Sequence, residues 1–103
     1  MAVNQAESRL KAIDWATIES INELRREATL LTKGGRLAVG VYTGISTAPH
    51  LVEVAVFRRR VDNCLPVGDP IESGIINVTQ HRSVLMELLL ALLETAKKKL
   101  DRQ

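Results

Sequence analysis

Residues 36–60 read RLAVGVYTGISTAPHLVEVAVFRRR. Apolar side chains recur there at every second position, first in RLAVGVYT and again in LVEVAVFRRR, which is the period of a β-strand. The segment between the two, GISTAPH, contains the glycine, serine and proline that are typical of turns. This stretch therefore predicts two strands joined by a short connection.

More strand signal follows these two segments. Gly74 to Val78 predicts a last strand, and Cys64 to Val67 could add an edge strand, although Pro66 has no N–H to donate to a ladder. The middle of the chain, residues 36–79, is therefore predicted to form an antiparallel sheet of three or four strands.

Helical periodicity precedes the sheet. From about residue 4 to residue 33 apolar side chains recur every three or four positions, and Gly34-Gly35 is a typical helix end. Asp14 could cap a second helix beginning at Trp15, so the sequence leaves open whether one helix or two occupy this N-terminal extension, residues 1–33.

The end of the chain, residues 80–100, predicts a Leu-rich helix capped by Thr79 or Ser83. Its apolar surface is wider than one core-facing stripe, because Leu90 and Ala91 flank the stripe. The same helix of a second subunit would cover this surplus in a homodimer, although the N-terminal helix could do so within one chain. The dimer is favoured, with an interface formed by Leu85, Leu88, Leu89, Leu92 and Leu93.

Length and composition place these elements in one α+β domain, residues 1–103. The chain is 46% hydrophobic and 25% charged, close to the globular average. The first 30 residues lack the apolar core of a signal peptide, and the longest apolar run is interrupted by Glu87. We therefore expect a cytoplasmic protein with no membrane segment.

Catalytic and metal sites have little support. The only cysteine, Cys64, cannot form an internal disulfide, and one cysteine with two histidines is too few for structural zinc. Cys64 could be combined with His50 or His81 and Asp62, but nothing flanks it as a nucleophile requires. We expect no enzyme activity, no metal and no cofactor.

The net charge of +2 is unevenly distributed. Residues 33–60 hold five bases and one acid, and residues 97–103 hold four bases and one acid. The lysines at 97–99 either complement the dipole of the last helix, which is the default interpretation, or extend a phosphate-binding surface. The bases of the internal segment are Lys33, Arg36, Arg58, Arg59 and Arg60.

Two aromatic rings fall on the strand faces opposite the valines. If the valines face the helices, Tyr42 and Phe57 point outward with only small residues between them. Nucleic-acid bases stack on such rings at ~1–3 kcal/mol each, and nearby cations follow the phosphates. The alternative is that both rings pack beneath the N-terminal helix and the arginines form a solvated strand end. Glu53, on the same face, opposes phosphate binding.

The order of RLAVGVYTG, LVEVAVFRRR, DPIESGIINVT and HRSVLMELLLALLE, from Arg36 to about Leu93, resembles the positive cofactor four family of transcriptional coactivators and their bacterial relatives. These are single-stranded DNA-binding proteins related in fold to the plant Whirly proteins. The resemblance implies a four-stranded sheet, dimerisation through the C-terminal helices, and unpaired DNA on the outer sheet faces. By position, Arg58 or Arg59 matches the end of the family's second strand, and Tyr42 lies near the end of its first.

The sequence thus predicts a dimeric α+β protein that binds single-stranded DNA or RNA without reading bases, to which the resemblance adds a role in transcription. The alternative is a non-catalytic protein-interaction or assembly module that uses the sheet and the N-terminal helix. The predicted nucleic-acid contacts are Lys33, Arg36, Tyr42, Phe57, Arg58, Arg59 and Arg60.

Overall fold

The computed structural model describes residues 15–59 and 66–102, and it confirms the α+β class. Two helices and a three-stranded sheet follow one another in an α-β-β-β-α order. Their bounds are α1 Trp15–Thr32, β1 Leu37–Tyr42, β2 Leu51–Arg59, β3 Pro66–Asn77 and α2 Arg82–Asp101. Residues 4–14, Arg60, Asp62 and Cys64, on which several predictions fall, lie outside the described residues.

The sheet is antiparallel with the order β1-β2-β3. In its register Val39 lies opposite Val56, and Val52 lies opposite Ile76, so the apolar side chains collect on one face. A register shift between Val56 and Arg58 marks an irregularity near the end of β2.

The last strand is longer than the sequence suggested. Gly74 to Val78 was expected to be the strand, but β3 spans Pro66–Asn77, with residues 68–71 unpaired between its two paired parts. The residues assigned to a possible edge strand, as far as they are described, are the first two of β3, which pair with the end of β2. Pro66 is tolerated at this place because the first residue of a strand can lack a ladder donor.

Both helices pack on the apolar face of the sheet. Ile21, Leu24 and Ala28 of α1 and Leu85 and Leu89 of α2 join the valines of β1 and β2 in one core. Leu24, Leu89 and the valines at 52, 54 and 56 are fully buried there. The molecule therefore has two layers, with helices on one side of the sheet and no described element on the other.

Hydrogen bonds at the helix ends explain where α1 stops. The Thr32 hydroxyl donates to the Ala28 carbonyl at 2.7 Å, and the Gly35 N–H donates to the Thr32 carbonyl at 3.1 Å. Gly34 has a φ of 73°, the left-handed conformation that glycine adopts without strain. The predicted stop at the glycine pair is therefore where the helix ends.

The N-cap of α2 corrects the sequence prediction. Neither Thr79 nor Ser83 caps the helix: His81 does, because its Nδ1 accepts a hydrogen bond from the Ser83 N–H at 3.2 Å. The Thr79 hydroxyl is instead used in a turn, where it donates to Asn77 Oδ1 at 2.6 Å.

The leucines predicted to form a dimer interface divide into two groups. Leu85 and Leu89 are buried in the core of their own chain, and they have little surface left for a second subunit. Leu92 and Leu93 are partly buried against that core, whereas Leu88 is exposed. The homodimer remains a prediction, and these burials restrict the leucines that it could use.

Candidate nucleic-acid interface

The sheet face opposite the helices carries both rings that the sequence singled out. Tyr42 lies opposite Glu53 at one end of the β1–β2 pair, and Phe57 lies opposite Ala38 towards the other. The described part of the N-terminal helix packs on the opposite face of the sheet, so α1 does not cover the rings. We call this surface, formed by Ala38, Gly40, Tyr42, Glu53, Ala55, Phe57, Ser73 and Ile75, the open face.

The two rings of the open face lie close to each other. Their centroids are 6.5 Å apart with planes at 80°, an edge-to-face arrangement that aromatic pairs favour. Ala55, between them, is almost fully buried, so the rings cover the middle of the sheet. The Tyr42 side chain is nevertheless 43% exposed, and Ile75 on the neighbouring strand is 66% exposed. Tyr42 and Ile75 are therefore the accessible apolar side chains of the open face, and Phe57 is half-buried beside them.

Gly40 makes room for the Tyr42 ring. A Cβ at position 40 would lie 2.5 Å from the Tyr42 hydroxyl oxygen and 2.7 Å from two ring carbons, which is closer than side chains approach one another. Only glycine allows the ring to lie back over β1 towards Phe57. The sequence places only small residues between the rings, and the structure gives Gly40 this steric role.

Two of the predicted phosphate-binding arginines reach towards the helices. Arg36 forms an ion pair with Asp101 at the end of α2, with 2.6 Å between Nη2 and Oδ1. Arg59 donates from Nη1 to the Thr32 carbonyl at 3.1 Å, and its buried Nε has no partner among the described residues. Both guanidinium groups therefore interact with the C-terminal ends of helices, where cations are favoured.

The fold brings both basic segments to one end of the molecule. β1 begins there, β2 and both helices end there, and Arg36 joins the two segments through Asp101. We call this region the basic end; its described bases are Lys33, Arg36, Arg58, Arg59, Lys97, Lys98, Lys99 and Arg102.

The bases of the basic end differ in their availability. Lys98 is within 3.6 Å of Glu94, and Lys99 is within 2.7 Å of Glu72. The hydrogen bond from Lys99, followed by that from the Ser73 N–H, lowers the pKa of the Glu72 carboxyl. Lys33 and Lys97 are exposed, and within the described ranges their side chains make no hydrogen bond or ion pair. They are therefore available to an anionic ligand.

The structure adds a groove that the sequence analysis did not identify. It has a volume of about 800 Å³ and lies between the C-terminal parts of α1 and α2, beside the start of β1. Its apolar lining includes Leu31, Leu37, Leu90, Leu93 and Leu100. Leu90 was a signal for it, because that side chain widened the apolar stripe of the last helix.

The described residues contain little that suggests catalysis or metal binding. No group of three or more His, Cys, Asp or Glu side chains among them could hold a metal ion. His81, one of the two histidines, is engaged as a helix cap. Neither α1 nor α2 is both long and apolar enough to cross a bilayer.

Comparisons with known proteins do not extend this description. No protein-family model matches the chain, and no curated protein and no solved structure matches it significantly.

Proposed function

We propose that this protein binds single-stranded nucleic acid on the open face, by stacking bases on Tyr42 and Phe57, without catalysis and without reading base identity. The observation that carries the proposal is the pair of rings on a sheet face that no described helix covers. Every base has a π-face, so stacking tolerates any sequence.

The basic end supplies the electrostatic part of this proposal. Phe57 lies next to Arg58 at the end of β2. A nucleic-acid strand whose bases stack on the rings can therefore continue onto the basic end. Lys33 and Lys97, which have no described partner, are the best candidates for phosphate contacts. Glu53 lies at the far end of the open face, opposite Tyr42, where its charge repels phosphates and opposes binding.

The resemblance to the coactivator family motivates two finer parts of the proposal: unpaired DNA as the target, and a role in transcription. The compartment that we propose is the cytoplasm. A homodimer would place two open faces in one particle and raise affinity for a long strand by linking two sites. Of the predicted interface, Leu88 is exposed and Leu92 and Leu93 are only partly buried, so these leucines of α2 are the surface that such a dimer would use.

The first test is the affinity of a ~20-nucleotide single strand, a length that spans one to several stacking sites. We expect Tyr42→Ala to weaken binding by about 5- to 150-fold, which corresponds to the loss of ~1–3 kcal/mol of stacking. Fluorescence anisotropy of the labelled strand measures this change. The matching duplex should bind more weakly than the single strand, because its bases are already stacked.

Trp15→Ala is the matched control. Trp15 is 74% exposed on α1, away from the open face, so its removal should leave the affinity unchanged. If both variants lost affinity equally, the bases would not be stacking on Tyr42. Absence of binding to any oligonucleotide at low salt would reject the proposal and favour a protein-interaction module.

The helical layer supports that second candidate function. Leu30, Leu31 and Leu90 are each about half exposed, and Leu31 and Leu90 line the groove between the helices. Exposed leucines in a contiguous groove are typical of protein-interaction surfaces. This candidate predicts that polar substitution of Leu90 abolishes partner binding, whereas Tyr42→Ala has no effect on it.

A further inference from the structure

The two rings of the open face lie at a steep angle to each other. The planes of Tyr42 and Phe57 differ by 80°, and their centroids are 6.5 Å apart. In such an edge-to-face pair, one ring directs its edge at a face of the other and covers that face. The pair therefore does not present two parallel surfaces, which two successive bases of a strand would need in order to stack side by side.

The distance between the rings leads to the same conclusion. Stacked aromatic partners have centroids ~4.5–7 Å apart, so a base stacked on one ring takes up a distance as large as that between the two rings. A base that lies parallel to one ring meets the other ring at 80°. A second base would have to turn by the same angle within the space that the first one fills. The ring pair therefore accommodates one stacked base.

Exposure indicates which ring takes this base. Tyr42 is 43% exposed, whereas Phe57 is half-buried. The Tyr42 ring lies back over β1, because its hydroxyl oxygen and two ring carbons occupy the place of a Cβ on Gly40. Ala55, opposite Gly40 on β2, is only 1% exposed and lies beneath the two rings. Tyr42 is thus the accessible stacking surface, and Phe57 stands against it as a wall.

We propose that the open face binds a single unpaired base, stacked on Tyr42, and that Phe57 is a positioning residue that holds the Tyr42 ring over β1. This inference rests on the proposed function and refines it, because it assigns one base to the two rings. The ligand is a nucleotide within a strand, since Phe57 adjoins Arg58 at the basic end and phosphates next to the stacked base meet positive charge there.

Strands with different numbers of bases on the same backbone test how many bases stack. The probe is a strand of about ten nucleotides that is abasic throughout, or abasic except for one base or for two adjacent bases. The phosphates are identical, so differences in affinity come from the bases. We expect one base to raise the affinity about 5- to 150-fold over the abasic strand. A second base should add at most about twofold, the statistical gain from two ways of filling one site.

The outcomes of this experiment distinguish the inference from the proposed function. Competition against a labelled strand, followed by fluorescence anisotropy, gives the affinities. If the second base raised the affinity as much as the first, two bases would stack at once, and the inference would be overturned while the proposed function stood. If no base raised the affinity, the open face would not stack bases, and both would be overturned.

A double-variant cycle tests the role of Phe57. The readout is the ratio of the affinities of the one-base strand and the abasic strand, because partial unfolding lowers both affinities equally and leaves their ratio unchanged. We expect Phe57→Leu to lower this ratio at least about twofold when Tyr42 is present, and to leave it unchanged in the Tyr42→Ala background. A further loss in that background would show that Phe57 itself stacks, and an unchanged ratio for Phe57→Leu alone would show that it positions nothing. Either result would overturn its assigned role.

Ile75→Ala is the matched control, because it shortens another apolar side chain of the open face. Ile75 is 66% exposed, but it lies on the far side of Glu53 from Tyr42. Two strand spacings, about 10 Å, separate its backbone from that of Tyr42. Its affinity ratio should equal that of the wild type. An equal loss from Ile75→Ala and Phe57→Leu would mean that apolar surface in general determines the ratio, and would overturn the role of Phe57.

Discussion

Single residues on the open face control whether a ring is positioned to stack. Gly40 is the clearest example, because the Tyr42 hydroxyl and ring occupy the space that a Cβ would need. We predict that Gly40→Ala displaces the ring and weakens single-strand binding nearly as much as Tyr42→Ala. The melting temperature should change little, since Tyr42 is 43% exposed and can swing into solvent. Anisotropy and thermal unfolding measure the two effects.

Gly35→Ala is the control for the Gly40 substitution. A Cβ at position 35 would lie 3.4 Å from the Thr32 carbonyl oxygen, a distance that a small adjustment accommodates, and it is remote from the rings. Its affinity for a single strand should equal that of the wild type. If Gly40→Ala also bound as tightly as the wild type, the position of the Tyr42 ring over β1 would be irrelevant to binding.

The sheet face on which a residue lies could be predicted from the sequence more readily than the contacts that its side chain makes. Alternation placed Tyr42 and Phe57 on the face opposite the valines, because side-chain direction in a strand depends only on local period. The contacts of Arg36 and Arg59 could not be predicted in this way. They depend on Asp101 and Thr32, which are 65 and 27 residues away in sequence and approach only when the helices dock.

At the scale of elements, the N-terminus of α2 is capped by an unusual residue. Asp is among the preferred N-caps, and its charge also suits the positive end of the helix dipole. We predict that His81→Asp stabilises the protein by about 0.5–1 kcal/mol. Urea unfolding at neutral pH measures the difference, and the slope with denaturant should not change.

Gln80→Asp is the corresponding control, because residue 80 is exposed and precedes the cap. It adds the same charge one position away from the capping geometry. An equal gain from both variants would mean that charge alone, and not the hydrogen bond to the Ser83 N–H, accounts for the stabilisation.

Strong local periodicity made β1, β2 and both helices predictable, whereas β3 was only partly so. Gly68, Asp69 and Pro70 interrupt the apolar alternation of β3 and resemble a loop. These residues have no partner in β2, whose pairing passes from Glu72 directly to Val67 and Pro66, so they form a bulge within β3 and the pairing beyond them continues the strand. The N-cap at His81 could not be predicted for a related reason. Thr79 has a stronger N-cap preference than His81, but its hydroxyl is already hydrogen-bonded to the Asn77 side chain.

At the scale of the whole molecule, the fold combines two basic segments that are far apart in sequence. Because α1 and α2 end beside the start of β1, their C-terminal carbonyls and the bases gather at one end. Some of these bases form ion pairs with Asp101, Glu94 and Glu72. Arg59 instead donates a hydrogen bond to a carbonyl at the C-terminal end of α1. The charge available to a ligand is therefore smaller than the count of bases suggests, and substitution of Arg59 would disturb α1 as well as any phosphate contact.

Lys33 and Lys97 allow a cleaner test of the basic end, since neither has a described partner to lose. If each contacts one phosphate of a single strand, each alanine substitution should lower the log–log salt slope of binding by about 0.7, and the double variant by about 1.4. Arg26→Ala, which removes one exposed charge from α1, should leave the slope unchanged. Titration of a labelled strand at several salt concentrations measures it. A double variant with the wild-type slope would show that the bound nucleic acid does not contact the basic end. Binding would then depend on stacking alone.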